Sequence, residues 1–546
     1  MSYVSLLALT LLFQGTVGEN VLQDEGKQGR NVTKLNIMLE DFVFIRGETD
    51  IVKGIINEES GLFALAGVAK TKQDQGLSQK VDWDYLVTNR AGAKKTFQNV
   101  LLHPRQTISV TPGMEAITHK NSLITSLWAA YGQKMSDIMP LTFALPEGLG
   151  MLKSYIDQAS PEQLEEVWVL KENRHRGQGV TPVLLKDVLP RIMTNYVTSS
   201  KEKKKTGKFI LAQKFINNQM LIENLPFTFR IWTIFGGGLN TSRGYLFDGS
   251  IVPFGDTPFV PDTTESALSQ ANQLIVNLFL QDRSKAKDPW SMHQLKEYLY
   301  QSTGSNAAFD TIWNTVKDSI AKTLVAAIPN IRKSMKSFRN YQGGNFEVLG
   351  IDFILDSNRK PWLIEVNYLP SMARKVVGCV KGSTCPESVF DNQKEKLLYG
   401  ILHILSTKLN HIDSHLAEAT RAMSKRQTCS LPPGLDANSL GQILDMLLES
   451  KTAKKYGFSS LNLDMYDSLI RMEEKNMGKV WQVLEDLQRM LRSILPRIPI
   501  VRLGYEEEQY IEIDRTVHEI LKVSSSSGVD NADQILAILC NEKAEL

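Results

Sequence analysis

Residues 343–372, GGNFEVLGIDFILDSNRKPWLIEVNYLPSM, hold two apolar runs, Phe346–Leu355 and Trp362–Val366, around the turn formers Asp-Ser-Asn-Arg-Lys-Pro. Turn chemistry between two such runs predicts a β-hairpin. With Asp356 paired to Pro361 around a loop at Ser357–Lys360, the register sets Asp352 directly opposite Glu365 on one face. Asn367 lies two residues beyond Glu365 and shares that face. Like charges facing each other across strands repel, so a compensating group is required. Two carboxylates and an amide oxygen form an oxygen-only set suited to Mg²⁺ bridging the phosphates of a nucleotide. The alternative is an exposed hairpin with its charges on a wet side. Ile351, Phe353, Ile364 and Val366 are apolar, which covers both faces and favours the metal reading, because charge in a covered sheet needs a partner.

The same stretch resembles the signature of the tubulin–tyrosine ligase-like family, F-E-x-x-G-x-D-x-x-x-D followed by P-W-L-x-E-V-N-x-x-P-S. The resemblance implies an α/β (α+β) ATP-grasp fold, with a nucleotide between two lobes. It further implies ATP and Mg²⁺ as cofactors, with Asp352, Glu365 and Asn367 as metal ligands. The implied reaction joins an amino acid (glutamate, glycine or tyrosine) to a protein carboxylate through an acyl-phosphate, on a tubulin tail if the family's acceptor applies.

The chain has 546 residues, room for three or four domains with large cores. Its 62 basic and 60 acidic residues leave a formal charge of +2, so no polyelectrolyte signal points to nucleic acid. Val4–Phe13, VSLLALTLLF, is a short apolar run followed by small residues at Thr16 and Gly18. That predicts a secretory signal peptide over residues 1–18, too short for a transmembrane span, although no Lys or Arg precedes it. Sequons stand at Asn31 and Asn240, and Cys379 and Cys385 bracket a Gly-containing loop that a disulfide would close.

In chain order, Asp41–Arg46 and Trp83–Thr88 read as strands, with Gly61–Gly67 a small apolar element. VDWDYLVTNR, residues 81–90, resembles the strand that opens the family. Val110–Trp128 has a Pro-Gly turn and then Met114, Ile117, Leu123 and Ile124 at helical spacing. Alone, Lys120 is an exposed helix lysine; by resemblance it approaches the nucleotide phosphates. Val167–Leu170 reads as a strand ending in Lys171, followed by a polar loop with Arg174, Arg176, Gly177 and Gly179. Glycines let backbone amides approach phosphates, and the cations add attraction. The resemblance assigns Lys171 to the α/β phosphates, although Glu172 replaces the usual proline.

Ser199–Lys208 is a basic run, either a solvated loop or a contact for acidic tails. Phe209–Phe215 reads as a buried strand. Gln213, Lys214, Phe215 and Ile216 resemble the family's hinge, where backbone groups meet the adenine edge. Arg230 matches the arginine of the K-F-D-x-R strand and is implied to stabilise the transferring phosphoryl group. Pro226 and Thr228 stand where the family has Lys and Asp, and Val252 lies where a second arginine is expected. Asn277 ends a reduced His-Leu-Thr-Asn motif, Leu-Ile-Val-Asn. These losses fall on the amino-acid and acceptor side.

The expected organisation is a signal peptide at 1–18, an N-terminal α/β domain at 19–105, a central ATP-grasp domain at 106–212, a C-terminal ATP-grasp domain at 213–410 and a helical extension at 430–546. The leading function is ATP-dependent ligation with Arg230 and Glu365 as catalytic groups. Two other readings stay open: a nucleotide-binding scaffold that no longer ligates, and a secretory-lumen ligase acting on something other than tubulin. If the chain enters the secretory route, intact-mass analysis of protein from its native cells should find residues 1–18 absent and Asn31 glycosylated. An unmodified chain beginning at Met1 or Ser2 overturns that expectation and returns the protein to the cytoplasm and cytoskeleton.

Overall fold

The computed structural model describes residues 33–40, 45–69, 80–99, 105–173, 179–201, 207–237, 242–261, 266–276, 287–336, 344–370, 372, 388–425, 437–461, 463 and 531–541. Residues 1–18, Asn31, Asn240, Cys379 and Cys385 lie outside them. Among the described residues no helix is long and apolar enough to cross a membrane.

Two large sheets face the site. The smaller runs Thr142–Ala144, Phe209–Lys214, Val167–Glu172, Val180–Leu184, antiparallel throughout. Trp168, Leu170, Phe143 and Phe209 pack beneath it with Leu185, Val188 and Ile192 of helix Leu185–Lys201. The larger sheet has eleven strands. Its N-terminal part, Leu35–Glu40, Phe63–Val68, Tyr85–Thr88 and Thr107–Ile108, is parallel. Parallel neighbours need crossover connections, here carried by helices Ile45–Glu58 and Arg90–Asn99. From Gly344–Leu355 onward the sheet is antiparallel, through Phe229–Gly237, Arg243–Phe247 and Pro361–Tyr368.

Both faces of this sheet are covered, which is why its strands are nearly continuous in apolar residues. On one side Phe229, Ile231, Phe235, Leu349, Ile351 and Phe353 meet helix Ala307–Lys336. That helix buries Ile312, Val316, Ile320, Leu324, Ile328 and Ile331, a stripe at three- and four-residue spacing. On the other side Trp232, Ile234 and Phe346 meet Leu397, Ile401 and Leu405 of helix Val389–Lys425.

Three expectations are corrected. The first strand is Leu35–Glu40, and Ile45 and Arg46 already belong to the following helix. Ile51, Val52 and Ile55 are buried at helical spacing, so the 3.6-residue period outweighs the apolar residues that suggested a strand. The helical spacing expected after the Pro-Gly turn, from Met114 onward, is carried by two helices rather than one, Glu115–Thr118 and Lys120–Tyr131, broken at His119 with φ −94° and ψ 132°. The C-terminal stretch is not purely helical: after helix Ala437–Lys455, strand Phe458–Ser460 pairs with Arg243–Phe247 and extends the large sheet.

Alternation also buries Glu347 on the face with Leu349 and Ile351. It is fully buried; Thr111 N donates to its Oε2 at 2.7 Å, and Oε1 has no hydrogen-bond partner. Burial pushes this carboxyl up from 4.5 to about 7, against the pull of Arg90 and Thr111. Between those values the folded protein holds a proton that the unfolded chain has released, so this group's contribution to stability falls as pH rises through the window. Glu347→Gln should therefore match the wild type near pH 5 and exceed it above pH 7, by up to ~3 kcal/mol. Urea unfolding at the two pH values checks this, and a pH-independent difference contradicts it.

Candidate active site between the two sheets

The site grows from one row of side chains on three adjacent strands. Arg230 is the direct cross-strand partner of Asp352, and Asp352 that of Glu365. Arg230 grips Asp352 with two parallel bonds, Nε to Oδ1 at 2.7 Å and Nη2 to Oδ2 at 2.6 Å. Asn367 Nδ2 donates to Asp352 Oδ2 and to Glu365 Oε1, each at 3.1 Å. Gly350, between them in the pairing, has no side chain for a reason: a Cβ there would lie 3.1 Å from Pro370 Cβ and 3.4 Å from Arg230 Cδ.

The expected register reaches this pair by a different route. Leu355, not Asp356, faces Pro361, and a one-residue irregularity after Asp352 restores the expected pairing at Glu365. Asp356 closes the turn instead. Its Oδ1 accepts from Asn358 N and Lys360 N at 2.9 Å each, and its Oδ2 from Trp362 Nε1 at 3.1 Å. An aspartate folding a turn around its own carboxylate is a local preference the turn reading did not include.

Two lysines complete the electrostatics. The break at His119 puts Lys120 in the first turn of its helix, with Nζ 3.9 Å from Glu365 Oε2. Lys171 comes from the smaller sheet and is buried. Its Nζ donates to Gln213 Oε1 at 2.7 Å, Gln213 Nε2 donates to Thr142 Oγ1 at 2.8 Å, and Thr142 Oγ1 donates to Pro140 O at 2.6 Å. Lys120, Lys171 and Glu365 line one cavity with Ile117, Met139 and Leu211. Burial pushes the Lys171 ammonium down to about 8, with Glu365 opposing and Lys120 adding to the fall. Burial also raises the Asp352 carboxyl, against Arg230. For Glu365 burial acts in the same sense, yet Lys120, Lys171, Asn367 and Arg230 together hold it below its ordinary value.

The structure therefore brings together Lys120, Lys171, Gln213, Arg230, Asp352, Glu365 and Asn367. The hinge residues sit nearby in other roles. Lys214 pairs with Glu166 at 2.8 Å, its backbone N donates to Leu141 O, and Phe215 is buried with Val167, Val169 and Leu274. Ile216 follows just past the strand, half-buried. Gly179 has φ +76°, and a Cβ there would come 2.8 Å from Glu172 Cβ, so the turn after Lys171 requires glycine. Arg174, Arg176, Gly177 and Asn277 lie outside the described residues. Thr228 N donates to Pro253 O, and Val252 is fully buried beside Trp290. Thr142 falls in MPLTFALPEGLGML, residues 139–152, which resembles the family's P-x-T-F-x-L-P run but gave it no role, and Arg90 was not singled out in the sequence. Arg90 closes the stretch VDWDYLVTNR, but strand patterning gives no cue to a side chain beyond the strand's end.

These residues fit a nucleotide and a hard cation. An ammonium buried against a neutral amide gains most from an anion. The trio offers two carboxylates, one engaged by Arg230, and an amide whose end-for-end turn would present oxygen. Among the described residues no group of three or more His, Cys, Asp or Glu is arranged to hold a metal. A trio of this kind suits an ion that keeps water and phosphate ligands rather than an all-protein cage.

The model of the "Tubulin-tyrosine ligase family" matches residues 99–378, just over half of the chain. Among curated relatives, "Tubulin polyglutamylase ttll-4" of Caenorhabditis briggsae is 28% identical over 286 residues, 51% of this chain and 44% of that protein. "Tubulin polyglutamylase TTLL7" of Xenopus tropicalis is 23% identical over 335 residues, 59% and 34% of the two chains. "Tubulin monoglutamylase TTLL4" of Mus musculus is 24% identical over 291 residues, 50% and 22%. The chain thus spans less than half the length of each of these relatives.

Lys171 gives the site a pH signature. Between about 8 and 10.5 the unfolded chain keeps a proton that the folded protein has released. Wild-type stability should therefore rise relative to Lys171→Met as pH climbs through that window, by up to ~3 kcal/mol. Denaturant unfolding at pH 7.5 and pH 10 measures it, and a constant difference would refute a buried ammonium.

Proposed function

Because this chain belongs to the tubulin-tyrosine ligase family, we propose that it is an ATP- and Mg²⁺-dependent ligase joining glutamate to a carboxylate of a protein acceptor, tubulin. One observation carries this reading: cations from three elements, Lys171 on the small sheet, Arg230 on the large one and Lys120 at a helix start, converge on the Asp352–Glu365 pair. The relatives' names, tubulin polyglutamylase and tubulin monoglutamylase, supply the amino acid and the acceptor.

When bound, ATP would supply the phosphoryl group that activates the acceptor carboxylate, ADP leaving and the incoming amine then displacing phosphate, and Mg²⁺ would neutralise the charge that develops. The chain's own residues do the rest. Lys171, fixed by Gln213, would bind phosphate oxygens and regain the charge that burial disfavours. Lys120 would share that role from the helix start. Asp352, Glu365 and Asn367 would hold the cation. Arg230 keeps Asp352 in place with Nε and Nη2 and would meet the transferring oxygens with Nη1. The covered sheet excludes water on its packed faces, which strengthens each of these interactions.

A second reading, a nucleotide-binding scaffold without ligation, is favoured by Pro226, Thr228 and the buried Val252 where the family pattern has a lysine, an aspartate and an arginine. The run Val4–Phe13 supports a further alternative, a ligase of the secretory lumen with another acceptor. Glu365→Gln removes one charge and keeps shape, so it should stay folded and lose Mg²⁺-dependent ATP turnover several hundredfold, roughly 3–4 kcal/mol of electrostatic stabilisation. Near-normal turnover in that variant would sink the ligase reading. Turnover in the wild type without transfer of labelled glutamate to tubulin would select the scaffold or a different acceptor.

A further inference from the structure

We infer that Arg90, which lies before the span matched by the family, is a positioning residue that braces the Lys120 helix against the Glu365–Asn367 strand. This rests on the assignment of those residues to a nucleotide–metal site and adds a part to it.

Arg90 starts from a fixed base. The preceding strand Tyr85–Thr88 is anchored where Thr88 N donates to Ser109 Oγ at 3.0 Å and Thr88 Oγ1 to Glu40 O at 3.1 Å. Asn89 Oδ1 then accepts from Gly92 N at 2.9 Å and turns the chain into helix Arg90–Asn99. From there the guanidinium reaches two elements at once. Its Cζ lies over the ring of Tyr368, 4.2 Å from the centroid, and Tyr368 is the residue after Asn367. Its Nη1 is 3.2 Å from His119 Nε2, and Nη2 donates to Thr118 Oγ1. Guanidinium has no acceptor, so His119 must accept through Nε2 as a neutral ring with its proton on Nδ1.

Thr118 ends one helix and His119 caps the next, so Arg90 grips both sides of the break immediately before Lys120. The break is where a brace is needed. The extended backbone of His119 interrupts the helix, the bond from Ser126 Oγ to Ala116 O at 2.9 Å ties the two parts away from the site, and the Lys120–Glu365 distance of 3.9 Å is too long to fix geometry by itself. Both Nη groups are engaged with Thr118 and His119, the Cζ lies over Tyr368, and Nε is buried. Arg90 therefore acts on the site through its neighbours rather than by touching substrate.

Arg90→Ala and Arg90→Lys test this in the full-length protein, using ADP with and without Mg²⁺ as the probe. Lysine keeps the charge but not the planar fork that stacks and bonds together. Both variants should bind ADP without Mg²⁺ as the wild type does and lose about tenfold or more of the Mg²⁺-dependent tightening, as for other groups that orient a metal's ligands. Amide hydrogen exchange without nucleotide should quicken together in residues 118–124 and 365–368. Tyr368→Phe, which keeps the stacking face, should behave as wild type, and Tyr368→Leu should reproduce part of the loss. Should Arg90→Ala fail to fold, the Tyr368 pair still decides. Unchanged Mg²⁺ dependence and unchanged exchange in the folded Arg90 variants, or a Tyr368→Leu indistinguishable from Tyr368→Phe, overturn the brace. If exchange quickens in both segments while the wild type shows no Mg²⁺-dependent ADP binding, the brace stands and the nucleotide–metal reading falls instead.

Discussion

Two half-buried carboxylates on neighbouring strands are the constraint to which this site answers. At roughly 5 Å and an effective dielectric of about 20, like charges repel by about 3 kcal/mol, before the cost of removing each from water. Asp352 is held by the intimate grip of Arg230, Glu365 by several cations at longer range, with Asn367 donating to both. The two therefore differ: burial still raises Asp352, whereas Glu365 is kept ionised. In the proposed reading, a cation placed between them would relieve that repulsion.

The same electrostatics connect the sheets. Lys171 belongs to the small sheet, yet the charge that most favours its ammonium is Glu365 on the large one. Backbone bonds from Leu363 N to Ile138 O and from Met220 N to Leu355 O hold the hairpin to the segments flanking the small sheet. Lys120, Lys171 and Arg230 outnumber Asp352 and Glu365, so this cluster carries an excess positive charge that an anionic ligand would balance. Under the proposed reading, a nucleotide phosphate placed there would neutralise charge from both sheets at once.

The hairpin was legible because its information is local: two apolar runs, turn formers between them, and alternation that fixes which side chains share a face. Even so, the predicted register at the turn was off by one residue, and the irregularity after Asp352 returned the carboxylates to their pairing. Lys171 was marked by the strand and glycine loop around it, and Gly179 sits at a positive φ as such a loop requires. What the sequence hid is what depends on distant contacts. The Lys171–Gln213–Thr142 chain joins residues 42 and 71 positions apart, and Arg90 meets Tyr368 across the whole domain. Period and turn chemistry carry no information about such partners, nor did they place the helix break at His119.

Beyond the family-matched span the chain is tied to this framework rather than appended to it. Strand Phe458–Ser460 lengthens the large sheet, and behind it Arg243 and Glu449 form a buried ion pair between that sheet and helix Ala437–Lys455. Arg243 holds Glu449 ionised against its burial, while Lys408 nearby is pushed below its ordinary value by desolvation and by Arg243. Removing one member of such a pair typically costs about 3–5 kcal/mol because the other is left charged in the interior. Helix Val389–Lys425 covers the sheet face that carries Trp232 and Phe346, so the strands bearing Arg230 and Asp352 depend on C-terminal packing for their rigidity. The proposed nucleotide–metal site would require those strands to hold position to a fraction of an ångström. The C-terminal helices are therefore part of the site's support.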